Sequence, residues 1–93
     1  MSMTKYEKSL EAQKERAYRQ LNISTLKEQL DRAKNVLAVI PRDGWQTQQE
    51  RQTVQAEIRR LSEFLEDEKR AYKATFEDEE TANIAVEKLS LNN

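Results

Sequence analysis

Ile23, Leu26, Leu30, Ala33, Leu37 and Ile40 recur along the chain at spacings of 3, 4, 3, 4 and 3. That is the a/d seam of a heptad helix, sustained for about two and a half heptads. A second seam follows, built from Val54, Ile58, Leu61, Leu65 and Tyr72, with Glu68 in the vacant position. Between the seams lies Ile40-Pro41-Arg42-Asp43-Gly44-Trp45, which holds the only proline and the only glycine of 93 residues. Pro41 disfavours helical geometry at Ile40 and so stops the first helix. Asp43 is a suitable N-cap for the next helix, with Gln46 three residues on as its capping partner. The pattern predicts a helix over about 4–40, a turn at 41–44 and a helix over about 44–73. The expected fold is all-α, an antiparallel, coiled-coil-like helical hairpin in a single helical domain over 1–93.

The two seams can be set against each other with no further assumption. Facing residues of an antiparallel hairpin have a nearly constant sum of residue numbers. A sum of 87 or 88 pairs Ala33 with Val54, Leu30 with Ile58, Leu26 with Leu61 and Ile23 with Leu65. Continued, it pairs Arg19 with Glu68, Arg16 with Tyr72 and Ala12 with Phe76. The first half of helix 1 is otherwise less regular, with Met3, Tyr6, Leu10, Ala17 and Leu21 spread over a wide face. Asn22-Ile23-Ser24-Thr25 is locally weak helix, because short polar side chains compete for backbone hydrogen bonds. Thr25 followed by Glu28 also fits a capping box and a break. The opposite charges of Arg19 and Glu68 fall where the apolar seam is interrupted on both strands, which favours an unbroken helix.

Beyond Tyr72 the pattern changes. Glu77-Asp78-Glu79-Glu80 is an acidic run, and Ala82, Ala85, Val86 and Leu89 then form one amphipathic face. Acidic residues suit the first turn of a helix, where they oppose the macrodipole. An acidic segment with a short third helix is expected over about 77–90. The pattern does not say whether that helix docks.

Composition now narrows the chemistry. One glycine and one proline exclude a loop-rich or all-β fold. There is no cysteine and no histidine, so thiol chemistry, the usual general acid-base residue and the commonest transition-metal ligand are missing. Consecutive carboxylates such as Glu66-Asp67-Glu68 point in different directions around a helix and do not converge on an ion. No catalytic, cofactor-binding or metal-binding residue is expected, and the chain reads as a non-enzyme. No apolar run is long enough to cross a membrane, so cytoplasmic placement and no membrane partner are expected.

The net charge of −1 hides an asymmetry: residues 1–22 carry +2, residues 23–44 +1, residues 45–74 zero and residues 75–93 −4. Lys5, Lys8, Lys14, Arg16 and Arg19 make the first helix basic, the basis for an alternative role as a nucleic-acid-associated regulator. Glu7, Glu11 and Glu15 are interleaved with them, which suggests pairing along the helix and leaves the stripe thin. The acidic run Glu77 to Glu80 beside Phe76 suits a basic groove on a protein partner. Trp45, Tyr18 and Phe64 lie off the seams, and such residues anchor interfaces. Two helices of this length bury only a thin core, so self-association into a dimeric bundle is expected. A purely structural oligomerisation element is a further alternative.

Residues 40–45 resemble the Ile-Pro-Arg-Asp-x-Trp entry to the coiled-coil helix of the small host-nuclease inhibitors of T7-like phages. The likeness covers six residues, and the long helix before the motif departs from that family's pattern. It implies a phage accessory protein that binds and blocks a host enzyme in the host cytoplasm. The leading expectation is a non-catalytic protein-protein interaction module, a small adaptor or inhibitor. Its expected partner-binding residues are Trp45, Arg42, Tyr18, Phe64, Glu77, Asp78, Glu79 and Glu80.

Overall fold

A computed structural model describes residues 5–91, and the side chains of residues 8–89. Met3 and the side chains of Lys5 and Tyr6 lie outside the described residues. The elements are α1 (Lys5–Val39), α2 (Trp45–Lys73) and α3 (Glu79–Leu91). The fold is all-α, with α1 and α2 packed against each other as a helical hairpin. α1 runs without interruption through Asn22–Thr25.

The turn departs from expectation in its cap. The first backbone bond of α2 runs from the Gln48 N–H to the Gly44 carbonyl, 3.0 Å, so Gly44 and not Asp43 takes the N-cap position. Gly44 has φ 101°, a left-handed conformation in which a side chain is strained. A Cβ there would also meet Thr47 Oγ1 at 3.2 Å. The Thr47 hydroxyl donates to the Gly44 carbonyl at 2.9 Å and to the Asp43 carbonyl. α1 has no basic residue in its own last turn. Arg51 of α2 supplies one instead: its Nη1 donates to the carbonyls of Leu37 and Ile40, both at 3.1 Å. It thereby satisfies orphan acceptors at the helix end.

Contacts group the chain into two compact units, Ser24–Glu66 on the one hand and Met1–Ile23 with Asp67–Asn93 on the other. The unit Ser24–Glu66 is held by Leu30, Leu61 and Leu65, all buried, with Leu26, Ala33, Leu37, Val54 and Ile58 half-buried around them. Leu26, Ala33 and Leu61 line one open groove, which places Leu26 and Leu61 near each other, in keeping with the register. Burying a leucine side chain contributes about 1.5–3 kcal/mol, so these few residues carry most of the unit's stability.

The unit Met1–Ile23 with Asp67–Asn93 is built differently. Its buried residues are Ile23, Tyr72 and Ala82. Ala82 docks α3, with Ala85, Val86 and Leu89 half-buried beside it. The pairing of Arg19 with Glu68 is present: Arg19 Nη1 donates to both carboxylate oxygens, at 2.9 and 3.0 Å. Arg19 Nε donates to Glu15 at 2.9 Å, and Asn22 Nδ2 donates to Glu68 at 3.3 Å. The short polar residue that made this stretch weak helix is thus used across the hairpin. Arg16 departs from its expected place opposite Tyr72. Its guanidinium lies over the Phe76 ring at 4.4 Å, and Nη2 donates to the Thr75 carbonyl at 3.1 Å. The Tyr72 hydroxyl accepts from Gln20 Nε2 at 3.0 Å.

Candidate interaction surfaces

The turn end of Ser24–Glu66 presents Trp45, whose side chain is 70% exposed, together with exposed Val36, Val39, Pro41 and Arg42. Val39, Pro41 and Arg42 also line a groove of about 420 Å³ with Lys34, Leu37, Ile40 and Arg51. Arg51 is committed to the α1 carbonyls, which leaves Lys34 and Arg42 as the cations facing solvent around this apolar end. The backbone beneath is fixed: Pro41 restricts φ, Gly44 holds the left-handed turn, and the Thr47 hydroxyl ties the first turn of α2. An exposed indole on a pre-ordered turn loses little freedom on binding.

Phe64, also half-exposed, belongs to a different part of the same unit. It lines the open groove shared by Leu26 and Leu61, and Arg60 lies 6.0 Å from its ring centroid. Both terminal contacts of Arg60 go to Glu57, at 2.6 and 2.7 Å, and these hydrogen bonds hold the guanidinium still more firmly protonated. Phe64 therefore sits beside a charge already paired within the chain.

The other four expected residues of acidic character occupy the unit Met1–Ile23 with Asp67–Asn93. Glu77, Asp78, Glu79 and Glu80 are all exposed, but they are not equivalent. Asp78 is the N-cap of α3: its carboxylate accepts from the Thr81 hydroxyl at 2.9 Å and from the Glu80 N–H at 3.3 Å. The Thr81 bond first, and the Glu80 bond second, hold its carboxyl below the usual aspartate range. Asp78 thus spends its charge on the helix, while Glu77, Glu79 and Glu80 present theirs to solvent. Glu77 and Asp78 also border a groove of about 770 Å³ with Lys8, Ala12, Arg16 and Phe76. Ala12 and Phe76 share this groove, in keeping with their expected pairing. Tyr18, 56% exposed, is in the same unit, with Arg19 at 5.4 Å from its ring.

Sequence reasoning missed the Arg16–Phe76 stack and both helix-end devices, Arg51 and Asp78. Asp78 carried a readable signal, an aspartate three residues before Thr81 at the head of an apolar face. Among the described residues no three acidic side chains converge on a metal-sized space, and no helix is long and apolar enough to cross a membrane. Against this geometry, no family model, curated protein or solved structure matches the chain.

Proposed function

We propose that the chain is a non-catalytic protein-protein interaction module, a small cytoplasmic adaptor or inhibitor that docks on a larger protein and is itself a homodimer. The observation that carries this is Trp45: a large indole left 70% exposed on a turn whose backbone is fixed on both sides. Arg42 and Val39, exposed at the same turn end, add basic and apolar surface of the kind that surrounds an interface hot spot. The likeness of residues 40–45 to phage nuclease inhibitors supports the inhibitor form, in which this end blocks a host enzyme.

Four of the basic side chains weigh against the nucleic-acid alternative. Arg19 binds Glu15 and Glu68, Arg60 binds Glu57, Arg70 binds Asp67, and Lys14 lies 3.9 Å from Glu11. Cations neutralised within the chain release few counterions from a phosphate backbone. A purely structural role leaves the exposed Trp45 without a use.

The test begins with a partner captured from an extract of the source organism and identified by mass spectrometry, then titrated against both wild type and Trp45→Ala. The variant should lose about 2 kcal/mol or more of binding free energy. The fluorescence of this sole tryptophan should also shift to the blue on binding. Unchanged affinity with a lowered melting temperature would mean that the ring only closes the end of the hairpin, and the assignment would be wrong.

A further inference from the structure

The groove at the turn end differs in charge from the other two grooves described above. The one beside Leu26 sets Arg32 and Arg60 against Glu57. The one beside Phe76 sets Lys8 and Arg16 against Glu77 and Asp78. At the turn end the charged lining is Lys34, Arg42 and Arg51, and no acidic residue joins it. The rest of the lining is apolar and runs from Leu37 to Pro41. Lys34 and Arg42 are exposed. Neither has an ion pair among the described residues, although Asp31 and Asp43 are close to them in sequence.

The C-terminal end of a helix is a poor place to receive an anion, because its open carbonyls carry partial negative charge. Pro41 sharpens the problem, since it has no N–H to give to the Leu37 carbonyl four residues back. Arg51 removes it. Its guanidinium donates to that carbonyl and to the Ile40 carbonyl, both at 3.1 Å, while the Ile40 N–H covers the Val36 carbonyl at 3.2 Å. One cation thus screens the helix end, and Lys34 and Arg42 are left to meet charge from outside the chain. The apolar lining decides which kind of anion. A nucleic-acid backbone offers phosphates in series and calls for a row of cations, and it would leave the lining from Leu37 to Pro41 without a use. A peptide with an apolar side chain between carboxylates matches both halves of the groove. The volume of about 420 Å³ lies towards the small end of binding clefts, about 300–1,000 Å³, which suits a short segment.

We propose that the groove at the turn end receives an acidic segment of the partner protein, an apolar side chain lying against Val39 and Ile40 and its flanking carboxylates meeting Lys34 and Arg42. The inference rests on the turn end being the docking site and names the chemistry that docks there. The probe is a displayed library of short random peptides, selected on the immobilised wild-type chain. Enriched peptides should carry Asp or Glu beside Leu, Ile or Phe. Their synthetic versions, titrated by calorimetry, should bind more weakly as salt is raised. Lys34→Glu/Arg42→Glu should weaken that binding by at least ~tenfold, and the charge-preserving Lys34→Arg/Arg42→Lys should rescue it. Both side chains are exposed, so circular dichroism should show unchanged helicity in either variant. No enrichment, or enrichment of basic or uncharged peptides, would overturn the proposal. Peptides that bind the charge-reversed variant as well as wild type but fail on Trp45→Ala would overturn the acidic groove and leave docking at Trp45 standing. Peptides indifferent to both variants would sink both readings. Displacement of the selected peptides by short single-stranded DNA at similar concentration would assign the groove to nucleic acid instead.

Discussion

Ser24–Glu66 and the unit formed by Met1–Ile23 with Asp67–Asn93 share one heptad rhythm and fill it with different chemistry. In the first, the seam positions are leucine, isoleucine, valine and alanine, and Leu30, Leu61 and Leu65 are buried. In the second, Arg16, Arg19 and Glu68 occupy seam positions, joined by Gln20, Asn22 and the Tyr72 hydroxyl. An apolar seam supplies stability but tolerates slippage, since one leucine replaces another at similar energy. A polar seam gives less stability and defines one register, because a displaced arginine loses its carboxylate. The chain divides the two duties between its two units.

The largest expected effect lies in the apolar seam. Leu61→Ala should cost about 2–5 kcal/mol of unfolding free energy, read from urea denaturation followed by circular dichroism. A loss under about 1 kcal/mol would mean that this seam does not carry the unit's stability.

Next comes the polar seam. Arg19 and Glu68 are each about a quarter exposed, at 27% and 21%, so their attraction is only partly screened. Glu68→Ala should destabilise the chain less than Leu61→Ala does. The damage should be local: amide exchange should speed up in 67–91 and in the start of α1, and much less within 24–66. Equal loss of protection in both units would erase the distinction drawn between them.

The smallest effect concerns the cap of α3. A carboxylate held below its ordinary range stabilises the folded state above the usual aspartate pKa. That stabilisation is lost as pH falls through the depressed value. Acidification should therefore loosen α3 before it touches Ser24–Glu66, as seen in amide exchange at Thr81 to Val86. In Asp78→Ala α3 should be looser already at neutral pH and respond less to acid. An unchanged acid response in that variant would show that the cap does not set it.

Much of the fold could be read from spacing, because helices and seams are periodic and the single Pro41–Gly44 interruption leaves one place to turn. The Arg19–Glu68 pair was readable for the same reason, as two breaks in periodicity that coincide across the hairpin. Arg16 was not, because a long flexible side chain is not confined to the level of its own Cα. It left Tyr72 to Gln20 and took the Thr75 carbonyl, one of the open acceptors past the end of α2. The cap at Gly44 escaped for a local reason: aspartate is the common N-cap, and the bond from the Gln48 N–H to the Gly44 carbonyl is what shows that glycine occupies the position. As for the candidate surfaces, the off-seam aromatics were visible as exceptions to the heptad pattern.

Arg51 links the end of one helix to the closure of the hairpin. It grips the carbonyls of Leu37 and Ile40, only 14 and 11 residues back along the chain. So short a loop closes at little entropic cost and on a fast timescale. The last turn of α1 is thus completed by the same contact that brings α2 alongside, and the growing chain gains from doubling back as soon as residue 51 is available. Helix termination and hairpin closure thus rest on one and the same side chain in this protein.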